Sequence, residues 1–324
     1  MIRVGLKCYP VNVHRPWVFD SSESKKIKDF FNTEGYVVVR NVSSAQNRNN
    51  LVENMQSVYA PETTKLGFLD LYHDDTLAQM RQDPRLYKVF ANLLQNKKLW
   101  VVYDRVILQK ASHDQEDGLP PHVDQNPYKN PDFASLQGMI ALRDMDAETG
   151  TLALIPKSKN FFYKYKRWCT NDQGTYVEYK DDDLDHFQAL YLYEGDMVIW
   201  DSRTTHSRYR HPDGGDKDRL AMLVSFTQAH EENAYHKLLR TNHFKEGTGW
   251  NCPEAGLRAT AKPRFEMSLR QNPERLTALG EHIYGLTSWE TATSNQFIVG
   301  GLISLGLYIM FLFAFFGYMK TTLG

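Results

Sequence analysis

The chain has 324 residues, of which 42% are apolar and 24% are charged, and its 38 Lys and Arg residues balance 39 Asp and Glu residues to a net charge of -1. This composition excludes disorder, collagen and coiled coil as descriptions of the whole chain, and the balanced charge gives no reason to expect a nucleic-acid partner. The three cysteines lie far apart, which excludes a disulfide framework or a zinc site built on cysteine and favours a reducing compartment.

The first hundred residues show helical periodicity around one strand. Asp20-Ser-Ser-Glu23 resembles a capping box before a short helix that Gly35 ends, and residues 36–42 then form a strand of mainly valine. Apolar residues at helical spacing predict two more amphipathic helices, the first with Leu51, Met55 and Val58 and the second with Leu86, Val89, Phe90, Leu93 and Leu94.

From residue 100 onward the pattern becomes one of short strands separated by Gly, Pro and Asp turns. Because no helices alternate with these strands, they favour an antiparallel jelly roll over a doubly wound sheet. We therefore predict a mainly β (α+β) fold, with a double-stranded β-helix (cupin-like jelly roll) core and flanking helices. The predicted strands are 100–109, 136–143, 151–155, 175–179, 189–193, 196–200 and 219–227.

The C-terminal segment Phe297 to Tyr318 contains no charged residue. As a helix it would be about 33 Å long, enough to span a hydrocarbon core of roughly 30 Å. A buried core helix is the alternative, but the length favours one transmembrane anchor. No continuous apolar signal precedes Pro10, so we expect a single-pass, tail-anchored protein with a cytosolic catalytic domain, although Lys320 alone favours the opposite orientation.

Two segments carry candidate metal ligands. His122 and Asp124 stand two residues apart in Pro120-Pro-His122-Val-Asp124, so in extended backbone their side chains point the same way. His206 follows the strand that ends at Trp200 and supplies a third ligand. Two histidines and one carboxylate on one face form the facial triad of non-haem Fe(II) oxygenases.

The three positions left open on the metal suit a 2-oxo acid and dioxygen, and Arg219 offers a planar cation for the second carboxylate of such an acid.

The order of these motifs resembles the phytanoyl-CoA dioxygenase-like branch of the Fe(II)/2-oxoglutarate-dependent oxygenases. The resemblance covers roughly residues 24 to 228 and is carried by GYVVVRNV (35–42), PHVD (121–124), DMDAETGTLALIPKS (144–158) and EGDMVIWDSRTTHS (194–207). It implies a double-stranded β-helix, one Fe(II) held by His122, Asp124 and His206, and 2-oxoglutarate anchored by Arg219. Gln109, on the strand before the metal motif, is a further candidate for an amide contact to 2-oxoglutarate.

Two positions depart from the pattern of this family. The usual Pro-Gly-Ser-His reads Pro156-Lys-Ser-Lys159, and Arg208 stands two residues after the distal histidine, where a small hydroxyl residue is common. Neither change touches the metal ligands. Ser207 and Ser225 are possible hydroxyl donors that could complete the co-substrate site in place of the missing residue.

Together these observations predict a membrane-anchored Fe(II)/2-oxoglutarate-dependent dioxygenase, a hydroxylase that acts on a small-molecule, lipid or membrane-associated substrate and uses dioxygen. A catalytically silent structural or interaction protein on the same fold, and a metal-assisted hydrolase, are the alternatives. The predicted domains are an oxygenase domain over 1–288, a linker over 289–296 and an anchor over 297–318. The oxygenase domain comprises N-terminal helices and a strand (20–97), the jelly-roll core (about 100–228) and a C-terminal extension (229–288).

Overall fold

The computed structural model describes residues 11, 13–60, 67–111, 120–129, 131, 135–174, 176–180, 186–209, 217–249 and 275–290, and the backbone of three short outlying strands. Its α-helices are α1 (Ser24–Glu34), α2 (Ala45–Val58), α3 (Asp75–Arg81), α4 (Pro84–Leu94), α5 (Ala234–Glu246) and α6 (Ala278–Tyr284). Its strands are β1 (Ile2–Val4), β2 (Lys7–Tyr9), β3 (Val13–His14), β4 (Val18–Asp20), β5 (Tyr36–Arg40), β6 (Phe68–Leu69), β7 (Leu99–Val101), β8 (Val106–Gln109), β9 (His122–Val123), β10 (Leu136–Ala141), β11 (Thr151–Leu154), β12 (Val177–Glu178), β13 (Gln188–Leu190), β14 (Met197–Asp201), β15 (His206–Tyr209), β16 (Arg219–Gln228), β17 (Thr248–Gly249) and β18 (Glu266–Met267).

Two sheets form the core. The larger sheet has the order β4-β5-β14-β10-β16-β8-β6, with β7 also paired to β16, and the smaller has the order β12-β9-β15-β11-β13-β3. The pairs within both sheets are antiparallel apart from β4–β5 and β13–β3, which are parallel. The alternation of side chains along each strand gives each sheet one face toward the other.

Apolar side chains from both sheets pack together between them, and we call this layer the inner core. Each such side chain contributes about 1.5–3 kcal/mol when it is fully removed from water. The larger sheet also has an apolar outer face, which packs against α1, α2, α4 and α6. The inner core contains Tyr36, Val38, Ile107, Met139, Ala141, Met145, Leu152, Leu154, Leu190, Leu192, Val198, Trp200 and Ala221.

The predicted fold class, a mainly β (α+β) protein with a double-stranded β-helix core, flanking helices and one C-terminal transmembrane helix, is wrong. The two sheets are consistent with a jelly-roll-like core, but the fold is a mixed α/β one, because the outer apolar face of the larger sheet has to be covered and helices cover it. Among the described residues, no helix combines the length and the apolar character needed to cross a bilayer. The predicted anchor, 297–318, lies outside the described residues.

The predicted strand 100–109 is interrupted by a bulge. Val101 pairs with Phe226 and Val106 pairs with Met222, so the four residues 102–105 stand opposite only three residues of β16. The ends of the bulge are still bonded to β16, since Val102 N donates to Ser225 O (2.9 Å) and Leu223 N donates to Arg105 O (3.2 Å). A bulge redirects the side chains that it carries, here Asp104 and Arg105.

Helices hold the bulge from the outer side. The buried Arg81 of α3 donates from Nη2 to the carbonyl of Asp104 (2.6 Å), and the hydroxyl of Tyr103 donates to the carbonyl of Tyr284 in α6 (2.6 Å). Arg240 of α5 donates from Nη2 to the carbonyl of Val101 (2.7 Å). Three helices from both ends of the chain therefore fix the backbone that leads into β8.

A buried histidine lies in the same region. The ring of His73 packs against Tyr103 (4.6 Å between centroids) and Phe244 (5.7 Å), and its Nε2 lies 2.9 Å from the carbonyl of Thr248, so Nε2 carries the proton. Burial, assisted by the charge of Arg81, lowers the pKa of His73 to about 3. The folded protein therefore holds this imidazole neutral.

This shift predicts acid sensitivity. Unfolding lets His73 bind a proton below its ordinary pKa of about 6.5, so the folded state loses stability as pH falls from there toward 3. His73→Gln keeps a donor for Thr248 but does not titrate. Between neutral pH and about pH 4, the metal-free wild type should lose up to about 3 kcal/mol more than the variant, measured by urea unfolding. The partly exposed His230→Gln serves as the control, and equal losses in wild type and His73→Gln would contradict the prediction.

Candidate metal centre and co-substrate pocket

The pairing of β9 with β15 brings the two candidate histidines together. His122 and His206 are direct cross-strand partners, so their side chains leave the smaller sheet on the same face, with ring centroids 4.3 Å apart. Leu154, the partner of His206 on β11, belongs to the inner core, which places both imidazoles on the inner face. Asp124 follows β9 directly, and its backbone N–H donates to the carbonyl of Ser202 (3.0 Å).

Each imidazole is held at Nδ1 by a backbone carbonyl. His122 Nδ1 lies 2.7 Å from the carbonyl of Pro120, and His206 Nδ1 lies 3.0 Å from the carbonyl of Thr204. Both Nε2 atoms are thereby turned toward Asp124, at 3.5 Å from Oδ1 for His122 and 3.1 Å from Oδ2 for His206. One ligand atom from each of the three residues lies within 4.8 Å of the others, so the group could hold a metal ion.

The charges in this cluster are coupled. Burial, together with the charge of His206, lowers the pKa of His122 to about 4. Burial opposes ionisation of Asp124, but the two imidazoles and the hydrogen bonds outweigh it and lower the pKa of that carboxyl. Burial likewise disfavours the charged form of His206, but the charge of Asp124 outweighs it and raises the pKa of His206. The cluster thus supplies an ionised carboxylate and one neutral imidazole, which are ligand states that a divalent metal requires.

Two residues that the sequence analysis missed position these ligands. Gln137 of β10 donates from Nε2 to Asp124 Oδ2 at 2.6 Å, which orients the carboxylate from the opposite sheet. Trp200 of β14 lies with its ring centroid 5.3 Å from that of His206. Gln137 was detectable in principle, because it is a polar residue at an inward position of the otherwise apolar strand β10.

Tyr176 is an exposed neighbour of the cluster. Its ring packs on His122, with centroids 4.5 Å apart and an interplanar angle of 32°, and 40% of the residue is exposed. Burial of the hydroxyl raises the pKa of Tyr176, and the charges of Glu178 and Asp124 add to the effect. No sequence pattern singles this tyrosine out from the other seventeen.

The structure brings Arg219 and Gln109 together. They are direct partners on β16 and β8, and each is 5% exposed. Gln109 is two residues from Ile107 on β8, and Arg219 is two residues from Ala221 on β16. Residues two apart on a strand lie on the same face, and Ile107 and Ala221 belong to the inner core, so Arg219 and Gln109 also point into it. Arg219 Nη2 lies 3.6 Å from Met139 Sδ. Met139 stands two residues after Gln137 on β10, so the guanidinium lies roughly 7 Å along the strand from the residue that contacts Asp124.

Three other polar residues considered from the sequence fall on different faces. Arg208 pairs with Leu152 and shares the inner face with His206, whereas Ser207 pairs with Ala153 and lies on the other face. Ser225 pairs with Gln137 and therefore lies on the inner face.

Asp201 and Arg203 form a structural salt link. Arg203 donates from Nη2 and Nε to the two carboxylate oxygens of Asp201, at 2.7 and 2.9 Å. This bidentate contact occupies both side chains with each other.

A family model described as "Phytanoyl-CoA dioxygenase (PhyH)" matches residues 31–210 of the chain. The match confirms the resemblance that the motifs predicted. Among curated proteins, the chain is 22% identical over 217 residues to "Ava biosynthesis cluster protein O" of Aspergillus versicolor, an alignment that covers 55% of this chain and 70% of that protein.

Solved structures share the fold. The epimerase SnoN, solved in complex with Fe3+, alpha ketoglutarate and nogalamycin RO, is 16% identical, with a TM-score of 0.51 and coverage of 80% of this chain and 97% of that chain. GlcNAc Inducible Gene 2 (GIG2) of Candida albicans is 11% identical, with a TM-score of 0.59 and coverage of 88% and 85%. At these identities the likeness establishes the fold alone.

The contact between Gln137 and Asp124 yields a test of the metal centre. Gln137→Leu leaves the carboxylate without its orienting donor, and the loss of such a contact typically lowers metal affinity by about ten- to a hundredfold. Anaerobic calorimetry with Fe(II) should measure a loss in this range. Ser225→Ala, which changes the cross-strand partner of Gln137, should bind Fe(II) like the wild type, and an unchanged affinity in Gln137→Leu would contradict the assigned contact.

Proposed function

Because the chain belongs to the phytanoyl-CoA dioxygenase family, we propose that it is an Fe(II)/2-oxoglutarate-dependent dioxygenase that hydroxylates a small molecule and releases succinate and CO2. Its cofactor is Fe(II), and 2-oxoglutarate and dioxygen are its co-substrates, as predicted. The observation that carries the proposal is the convergence of His122, Asp124 and His206 on one point of the inner face.

The donor set fits iron. Two imidazoles and one carboxylate are the facial ligand set of non-haem Fe(II) oxygenases, and one side of the cluster is left open for other ligands. The carbonyls of Pro120 and Thr204 bind the Nδ1 protons, so each Nε2 can offer its lone pair. His122 Nε2, His206 Nε2 and a carboxylate oxygen of Asp124 would hold the ion.

The position of Arg219 fits 2-oxoglutarate. A buried guanidinium at the far end of the inner core would bind the distal carboxylate of the co-substrate through two parallel hydrogen bonds. The side-chain amide of Gln109, its cross-strand partner, would add a contact at the same end. This arrangement favours an oxygenase over metal-assisted hydrolysis, because a hydrolase has no use for a second carboxylate site.

The protein and the metal then have separate tasks. When bound, the iron supplies the redox chemistry that couples decarboxylation of 2-oxoglutarate to oxidation of the substrate. Arg219 and Gln109 orient the co-substrate along the inner face. Gln137 fixes the carboxylate of Asp124, and apolar inner-core residues such as Leu154 and Val198 keep water away from the centre.

The triad can be tested by substitution. His122→Ala, Asp124→Ala and His206→Ala should each abolish Fe(II)-dependent conversion of 2-oxoglutarate to succinate and leave circular dichroism unchanged, because each variant removes one ligand from the metal. His230→Ala removes a histidine that contacts Glu232 outside the site and should retain turnover. Near-normal succinate formation by any triad variant would remove that residue from the ligand set.

A wild-type chain that binds Fe(II) and 2-oxoglutarate without turning over would indicate a catalytically silent member of the fold. The assay should therefore include direct binding measurements for both ligands alongside succinate formation.

The co-substrate anchor can be tested separately. Arg219→Lys should weaken 2-oxoglutarate binding about ten- to a hundredfold with little effect on Fe(II), because an ammonium loses one charge-assisted hydrogen bond of the planar fork, about 1.5–3 kcal/mol. Calorimetry with each ligand separates the two effects. The half-buried Arg48, which pairs with Glu194 outside the inner core, provides the control Arg48→Lys.

An unchanged affinity in Arg219→Lys would transfer the anchoring role to another cation. Arg208 would then be the first choice, since it shares the inner face with His206, whereas Arg203 is engaged by Asp201.

A further inference from the structure

Arg105 is a cation of the inner face that the proposed iron and 2-oxoglutarate contacts do not use. The guanidinium of Arg105 lies over the ring of Phe68, 4.3 Å from its centroid, and Phe68 packs against the inner core. The side chain is only 16% exposed. Within the described part of the chain, its buried Nε has no hydrogen-bond partner. A guanidinium has five donors in a fixed fork, so a largely enclosed one with an unbonded donor calls for an explanation.

Asp104 does not provide that explanation. Its Oδ1 lies 4.0 Å from Arg105 Nε, beyond hydrogen-bond distance, and accepts instead from the backbone N–H of Arg105 (2.7 Å). Burial also raises the pKa of Asp104 to about 6, against the opposing charge of Arg105. Asp104 is therefore still largely ionised at neutral pH, and it is the geometry of its carboxylate that leaves Arg105 Nε without a hydrogen bond.

The backbone at Arg105 is fixed. The bulge over residues 102–105 directs this residue to the inner face, and Arg81 and Tyr284 hold the bulge from behind through Asp104 O and Tyr103. A cation on a rigid element is preorganised, and this reduces the ordering cost when it binds a ligand.

Arg105 lies apart from the co-substrate arginine. Its carbonyl accepts from Leu223 of β16, whose cross-strand partner on β10 is Met139, the residue contacted by Arg219. Arg105 stands four residues before Gln109, and Leu223 stands four residues after Arg219, so the backbone of Arg105 lies roughly 13 Å along the strands from the proposed co-substrate anchor. Leu223 and Phe68, both only partly buried, line the inner face near Arg105.

We propose that Arg105 binds an oxyanion of the primary substrate, a carboxylate or a phosphate ester, and that the apolar body of the substrate lies against Phe68 and Leu223. This inference rests on the proposed function, since it assumes that iron and 2-oxoglutarate occupy the neighbouring part of the inner face. The planar guanidinium suits both anions, because each accepts two parallel hydrogen bonds.

Three ligands with the same ring test this assignment. Benzoate and phenyl phosphate carry the two oxyanions, and benzamide is the neutral control. Each is titrated calorimetrically and without oxygen into the full chain loaded with Fe(II) and saturating 2-oxoglutarate. The wild type should bind at least one anion about ten- to a hundredfold more tightly than benzamide, and the anion that binds identifies the class.

Arg105→Gln should abolish this preference and leave 2-oxoglutarate affinity unchanged. Arg105→Lys keeps the charge but loses the planar fork. Its preference for the anion over benzamide should therefore lie between those of the wild type and Arg105→Gln. Arg48→Gln removes an equally enclosed arginine, 13% exposed, outside the inner core and should bind like the wild type. Retained 2-oxoglutarate binding also establishes that each variant is folded.

The proposal is overturned if the wild type does not prefer an anion, if Arg105→Gln keeps the preference, or if that variant loses 2-oxoglutarate affinity as expected for Arg219→Lys. A wild type that binds no 2-oxoglutarate would instead contradict the proposed function, and this inference with it. Measuring 2-oxoglutarate binding first therefore distinguishes the two failures.

Discussion

Two backbone carbonyls determine what the centre of this protein can do. Pro120 and Thr204 each accept a proton from the Nδ1 of a neighbouring histidine, and this leaves Nε2 of His122 and His206 directed at Asp124. An imidazole in the other tautomer or rotated by half a turn would present a proton instead of a lone pair. The pairing of β9 with β15 then sets the spacing of the two rings, so main-chain geometry defines the site before any metal binds.

The inner face combines an apolar layer with a few charged groups, and that combination is costly without ligands. Enclosing a cation is unfavourable unless an anion accompanies it. The proposed co-substrate would place an anion at Arg219, and an anionic substrate would do the same at Arg105. Charge complementarity would thus bring both reactants onto one face of the larger sheet, at positions four residues apart along the direction of β8.

The structure brings together the candidate residues whose chemistry and strand pattern coincide in the sequence, and their roles stay predictions. His122, Asp124 and His206 stand in short polar motifs beside strands, and the alternation along β16 turned Arg219 inward. Sequence reasoning failed where the pairing between strands decides the local structure. The run 100–109 reads as one apolar strand, but a bulge divides it because four of its residues meet three of β16. Gln137 and Tyr176 reach the cluster only through folding, and the fold class was wrong in its transmembrane helix, since no helix among the described residues has the length and apolar character to cross a bilayer.

The hydrogen bond between Tyr103 and Tyr284 joins residues 181 positions apart in the chain. During synthesis the metal ligands leave the ribosome well before helix α6, so they can meet while the bulge beside them is held by Arg81 but still lacks its contact with Tyr284. Closing so long a loop is slow compared with forming a local hairpin. In the nascent protein, β9 and β15 are therefore available to pair before the contact between Tyr103 and Tyr284 forms, and metal capture can precede completion of the substrate side.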